Sequence, residues 1–349
     1  MKRFVLFLAL LVFAVSAAGI FPGLWPAATQ GSRRPPLGGR EEVAQQPPAA
    51  DALPQRYLNQ NRTHKLILRA EDAEVYNRLA RQNAIREEFD YRSFKLVIVD
   101  EEAAGGQAAL QSIKTGQTDA EPIAPRDDLN LIVLNGHVLD TSNEEPLSQP
   151  LPADLRQTRM AAGRSSRAGP GAGLYIVQFA GPIQDAWLNR LRATGADVVA
   201  YIPNNAYVVR TDRRSAERVA RMKDSHPFVQ WVGDYEPAYK MSPQVETVRS
   251  LGDAESVRVI VQVLDGAAGD QAASNLRRGA RKFEGQHRVM KYRNITVTIP
   301  ASQLAELAAS DGVFAIEPAA DRILLDEAQG QIVAGNLTGN SPTGPGYLS

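Results

Sequence analysis

The sequence predicts an α+β protein built around tandem βαββαβ modules, each a four-stranded antiparallel sheet with two helices on one face, joined by flexible linkers. Three observations lead there. The stretches 173–241 and 257–326 repeat the same succession of β-branched runs and amphipathic segments. The shared order is strand, helix, strand, strand, helix, strand, which closes into such a sheet. Segments rich in Pro, Gly and Ser separate the pair from what precedes and follows it.

The elements follow in order. Leu174-Tyr175-Ile176-Val177-Gln178-Phe179 reads as a strand, and its counterpart is Arg258-Val259-Ile260-Val261-Gln262-Val263. In the first copy a helix follows, with Ile183, Trp187, Leu188 and Leu191 on one face and Gly195 as its stop. In the second, Asp270 is the expected N-cap, Ala273 and Leu276 point inward, and Gly279 ends the helix. Next come the hairpins. Val198–Ile202 and Ala206–Arg210 flank Pro203-Asn204-Asn205, where Asn tolerates left-handed backbone. In the second copy Arg288–Tyr292 and Ile295–Ile299 flank an expected turn at Arg293-Asn294. Ala216, Val219, Ala220 and Met222 mark one second helix, and Leu304, Leu307 and Ala308 behind a Ser302 cap mark the other. Each copy closes with a strand, Val229–Val232 leading to Glu236-Pro237 and Val313–Ile316 leading to Glu317-Pro318. Phe228, Trp231 and Phe314 are expected in the core. This is the ferredoxin-like arrangement. Residues 63–141 offer a degenerate α/β version of it, with strands at Lys65–Leu68 and Phe94–Val99, a helix through Val75, Leu79 and Ala80, and the pair 129–134 and 137–139.

Outside these modules the chain reads as targeting and tether. Met1-Lys2-Arg3, the apolar run Phe4–Val15 and the small residues Ser16-Ala17-Ala18 make residues 1–20 a signal peptide, the alternative being a single membrane anchor. Either way the protein is expected outside the cytoplasm: secreted, with the periplasm or cell surface as variants, and off the membrane once the signal is removed. Residues 21–62 form a linker rich in Pro, Ala and Gln, 142–172 a Gly/Ser/Pro linker, and 327–349 a tail.

Composition narrows the chemistry. Thirty-nine basic residues balance thirty-nine acidic ones, so the chain as a whole carries no basic field to hold nucleic acid. Without cysteine there is no disulfide, thiolate metal site or Cys nucleophile. The four histidines, His64, His137, His226 and His287, stand apart in sequence and are expected as solvated or hydrogen-bonded surface imidazoles. Acidic runs such as Asp100-Glu101-Glu102 and Asp127-Asp128 read as solvated turns, and no spacing suggests a metal or cofactor site. Tyr175, Phe179 and Tyr207 could line an RNA-stacking face, but the Lys/Arg-Gly-aromatic signature is missing and they are expected in the core. The loops Ala180-Gly181-Pro182 and Leu264-Asp265-Gly266 offer no anion cradle for acyl-phosphate chemistry.

Taken together, the export signal, the Leu-Tyr-Ile-Val-Gln-Phe strand, the Trp187-Leu188-x-x-Leu191 helix, the Asn204-Asn205-Ala206-Tyr207-Val208-Val209 hairpin and the closing strand running to Glu-Pro resemble the N-terminal propeptide region of bacterial subtilisin-like serine proteases, over residues 173 to 325. The resemblance implies an intramolecular chaperone and product-like peptidase inhibitor whose partner is a subtilisin-like catalytic domain, in cis or in trans. It also implies an extended segment that enters the protease cleft. Two stretches qualify: Arg322, Ile323, Leu324 and Leu325 after the last strand, and Tyr347 and Leu348 at the far end. The catalytic motifs of that family, an Asp before Ser/Thr-Gly, a His-Gly-Thr-His and a Gly-Thr-Ser-x-Ala, are not in this sequence, so no enzymatic activity is expected of it. The stop at Ser349 in linker-like sequence reads as a truncated precursor or a relative without the catalytic domain. The alternative is an exported protein-binding or scaffold repeat protein of the cell surface.

Overall fold

A computed structural model of the chain describes residues 63–103, 106–107, 123–142, 147–148, 150–157, 171–250, 255–320, 337–338 and 341–342. Residues 1–62, expected to hold a signal peptide and the first linker, lie outside the described residues. The architecture is α+β, with several antiparallel sheets and helices. Described residues up to Pro150 together with 171–234 form one compact unit; Leu151–Gln157 and those from Tyr235 onward form a second.

In the first unit, the leading segment runs β1 (Thr63–Leu68), α1 (Ala73–Arg81), β2 (Ile85–Asp90) and β3 (Lys95–Asp100), with the antiparallel order β1-β3-β2. Leu66, Leu68, Leu79, Ala84, Val97 and Val99 form its core. β2 escapes notice in the sequence because Ile85-Arg86-Glu87-Glu88-Phe89-Asp90 is mostly charged. It pairs with β3 all the same, its outer positions alternating with half-buried Ile85 and Phe89. The pair expected at 129–139 is a hairpin, β4 (Leu131–Leu134) and β5 (His137–Asp140), flanked by β6 (Leu147–Ser148) in a sheet of its own. Asn135 and Gly136 both take positive φ, as a two-residue turn between twisted strands requires.

The first module then folds as β7 (Gly173–Phe179), α2 (Asp185–Ala193), β8 (Asp197–Ile202), β9 (Ala206–Thr211), α3 (Arg213–Ser225) and β10 (Val229–Asp234), with strand order β10-β7-β9-β8. Asp212 caps α3 by accepting from the Ser215 backbone N–H at 2.7 Å. Asn204 and Asn205 sit at φ +64°. The inward positions Tyr175, Val177, Phe179, Trp187, Leu191, Ala216, Val219 and Met222 build one core. Each large side chain buried there contributes about 1.5–3 kcal/mol. With Tyr175 and Phe179 inside, their ring faces are closed to stacking by bases. The β7–α2 loop serves packing: Tyr91 donates to the Pro182 carbonyl at 2.7 Å, and a Cβ on Gly181 would meet Leu96 Cδ2 at 2.2 Å.

The second unit contains α4 (Pro243–Ser250), β11 (Ser256–Leu264), α5 (Ala267–Gly279), β12 (Lys282–Val289), β13 (Tyr292–Pro300), α6 (Leu304–Ala309) and β14 (Val313–Pro318), with strand order β12-β13-β11-β14. Numbered within each module, both sheets read 2-3-1-4. Four details differ from the sequence-based expectation. Helix α5 starts at Ala267, capped by Gly266 at φ +108°, which leaves Asp270 in the first turn. Ser302 lies in a 3₁₀ turn, Ala301–Gln303, ahead of α6. The hairpin turns at Met290-Lys291, with Met290 at φ +54°. Asn294, expected in the turn, is inside β13 opposite Gln262. The segment after β10 also leaves the first module: Tyr235 stacks on Phe314 with centroids 5.7 Å apart, and Ser242 N–H donates to the Ile316 carbonyl at 3.1 Å beside a Met241–Ile316 bridge. The strands β15 (Leu337–Thr338) and β16 (Ser341–Pro342) pair with each other.

Candidate docking surface

Each four-stranded sheet has an inner face under its helices and an outer face, and side chains alternate between them. Register puts equivalent residues of the two modules at equivalent outer positions. In the first, Leu174 pairs with Arg210, Ile176 with Val208, and Gln178 with Ala206. In the second, Arg258 pairs with Thr298, Ile260 with Thr296, and Gln262 with Asn294. One face is therefore mostly apolar around a Gln, with Arg210 at one end, and the other is mostly polar around the matching Gln.

The first module's outer face is closed by the chain itself. Gln178 is fully buried: it accepts from the Thr141 hydroxyl and donates to the carbonyls of Leu129 at 3.2 Å and Asn204 at 3.0 Å. Asn204 donates to the carbonyls of Asp128 and Leu131, and Gln230 donates to Thr141 at 2.7 Å. These bonds fasten both ends of the β4–β5 hairpin at the Gln178 end of the face. Trp231, expected in the core, is buried on this outer side, where it pairs with Gln178.

That hairpin is also fastened to β1. His64 Nδ1 lies 2.7 Å from Asp127 Oδ2, and Nε2 lies 3.5 Å from Glu101. The Asp127 bond, with Glu101 adding to it, raises the His64 pKa against the opposing effect of burial. Lys65 is buried, donates to the Leu129 carbonyl at 3.4 Å, and is lowered to about 7 by desolvation, with Asp127, Asp128 and Asp140 pulling the other way. Burial raises the Asp140 carboxyl, partly offset by Ser142. His64 and His137 are thus buried instead of surface imidazoles, while His226 lies against Ser225 and Phe228. Both ring nitrogens of His64 face carboxylates, which makes the ring a cross-link between β1 and the 3₁₀ turn Asp127–Asn130. Nothing in the sequence pairs His64 with a residue so distant; only Lys65 in a strand of apolar neighbours hints at a buried charge.

The second module's outer face is closed at one end only. Tyr235, Tyr292 and Phe314 cluster there, and Gln262 is 8% exposed. At the other end Arg258, Ile260, Thr296 and Thr298 are half-buried and Glu317 is exposed. Arg258 holds Glu284 through paired bonds of 2.8–3.0 Å, which keep that carboxyl below its usual range. The same guanidinium donates to the Ala319 carbonyl at 3.0 Å, and Ala319 N–H returns a bond to the Arg258 carbonyl. The chain therefore leaves β14 fixed beside the open end of the face. The cleft-binding candidates Arg322, Ile323, Leu324, Leu325, Tyr347 and Leu348 lie outside the described residues.

Among the described residues no group of three or more His, Asp or Glu is placed to hold a metal ion, and no helix is long and apolar enough to cross a membrane. Residues 133–236 match a domain of unknown function (DUF8729). The match begins in β4 and ends just past β10, so the covering hairpin and the module it covers fall largely within one family span. No curated protein and no solved structure matches the chain.

Proposed function

We propose that the chain is the propeptide region of a secreted subtilisin-like serine protease, two tandem ferredoxin-like modules that assist folding of the protease domain and inhibit it as a product-like ligand. The observation that carries this reading is the second module: a half-open outer sheet face whose last strand is pinned by Arg258 at Ala319, three positions before Arg322–Leu325 in the sequence. A surface of this kind suits a partner that packs on the sheet while an extended segment adds to a cleft. No chemistry is assigned to the chain itself.

The test is inhibition. The purified chain is mixed with a subtilisin-like protease and hydrolysis of a chromogenic peptide is followed. Inhibition at about micromolar concentration or below is expected, with potency lost when residues 321–349 are removed. A folded chain that leaves the protease untouched would overturn the reading in favour of an exported binding or scaffold protein, which the self-covered first module would equally suit.

A further inference from the structure

The chain's zero net charge conceals a local excess at one edge of the second module. Between Arg277 and Arg293, seven residues are Lys or Arg and Glu284 is the single acid. The fold gathers this run onto the end of α5 and the hairpin β12–β13. Strand β12 is terminal in its sheet, and among the described residues no strand pairs with its other edge. The opposite edge of that sheet, β14, is occupied by the bridge to Met241.

Three of the five large apolar side chains exposed among the described residues also lie here: Phe283 (38% exposed), Val289 (39%) and Met290 (67%). Only part of the charge is neutralised locally. Arg288 reaches Asp265, Arg293 reaches Asp270, and Lys282 shares Glu284 with Arg258. Arg277 lies over the Phe283 ring and bonds Gln286, and Arg278 bonds Asn275, so neither spends its charge on a carboxylate there.

An edge strand offers a row of backbone donors and acceptors to any extended chain. Basic side chains and the bulge at Phe283/Gly285 guard it against a second basic edge. The same charges attract an acidic one. We propose that β12 is a docking edge for an acidic, extended polypeptide segment, which adds as a fifth strand with apolar side chains beside Phe283 on the helix side of the sheet and carboxylates beside Lys282 on the other side, Arg278 and Arg281 adding to the attraction. A lipid surface or a nucleic acid would use the charge but not the eight-residue backbone row, so a polypeptide is the better fit. This inference goes beyond the proposed function and does not rest on it.

The probe is a fluorescent, end-blocked octapeptide of alternating Glu and Val, titrated with the full chain and followed by anisotropy. Saturable binding is expected, weakened at least tenfold by about 0.3 M salt, by replacing every Glu with Lys, or by N-methylating alternate backbone amides. The double variant Arg278→Glu, Arg281→Glu should weaken binding at least tenfold without moving the unfolding midpoint. Equal binding of the Glu and Lys peptides, undiminished binding of the N-methylated peptide, or binding of phosphatidylserine vesicles or an oligonucleotide with none of the peptide would overturn the proposal. Because the N-methyl comparison uses the unaltered chain, it decides the matter even where the variant fails to fold.

Discussion

The two βαββαβ modules share strand order and register, yet they spend their outer sheet faces differently. The first covers Ile176, Gln178 and Val208, all fully or almost fully buried, with Gln178 tied to the chain's own hairpin. The second leaves Ile260 and Thr296 half-buried at the same positions. An apolar outer face must be covered to be stable, whereas a polar one tolerates water. The first module thus reads as a closed structural unit and the second as the one with surface to offer.

The sharpest way to break this comparison is to cut the same side chain from both modules. Gln178→Ala removes the bonds to Thr141, Leu129 and Asn204 and leaves a cavity in a buried network, an expected loss of about 3 kcal/mol. Gln262→Ala, at the partly closed face, should cost under about 1 kcal/mol. Urea unfolding followed by far-UV circular dichroism measures both. Equal losses would mean that the hairpin does not close the first face. Ile176→Thr against Ile260→Thr repeats the contrast with an apolar group, at about 2 kcal/mol and about 0.5 kcal/mol respectively.

Next in size is the anchor of the covering hairpin. Lys65 has a lowered pKa, so the unfolded chain binds its proton more tightly, and this group makes stability rise between about pH 7 and pH 10. His64 has a raised pKa, so its contribution is complete below the unfolded value near 6.5 and fades as pH climbs through the folded value. The two slopes oppose each other above neutrality. Lys65→Met should stabilise the first unit near pH 6, where folding must bury the charged ammonium, and expose the falling His64 slope. His64→Gln should leave only the rising Lys65 slope. A Lys65→Met protein whose stability still climbs from pH 7 to pH 9 would show that the lysine is not the titrating group.

The repeat was legible because its inner positions are Val, Ile, Leu and aromatic residues at strand and helix spacing: Val259, Val261 and Val263 against Ile295, Val297 and Ile299 can face only a core. What escaped is what tertiary contact decides. Strands β2 and β12 are charged edge strands, each paired on one side, so neither needs an apolar alternation. The cover over Gln178 depends on residues nearly forty positions upstream, and the His64–Asp127 pair on a separation of sixty-three. Local pattern carries no information at such distances. The half-open outer face of the second module was legible only as a repeat, since Arg258 and Thr296 stand there where the first module has Leu174 and Val208.

The smallest expected effect concerns the turn that gives the second module its long edge. Asn294 carried the turn signal by residue type, but the ladder from Lys282 to Val289 outweighs it and moves the reversal to Met290-Lys291. That choice places a β-carbon in left-handed backbone at Met290, which costs about 1 kcal/mol. Met290→Gly removes the strain at some cost in chain entropy, so a net gain of about 0.5 kcal/mol is expected. The readout is slower amide exchange in β12 and β13 with no change in the first unit. If exchange instead quickens, or if Asn294→Ala destabilises by more than about 1 kcal/mol as the loss of a left-handed turn residue would, the turn lies at Arg293-Asn294. Strand β12 would then be shorter, and the exposed edge that separates the second module from the first would shrink with it.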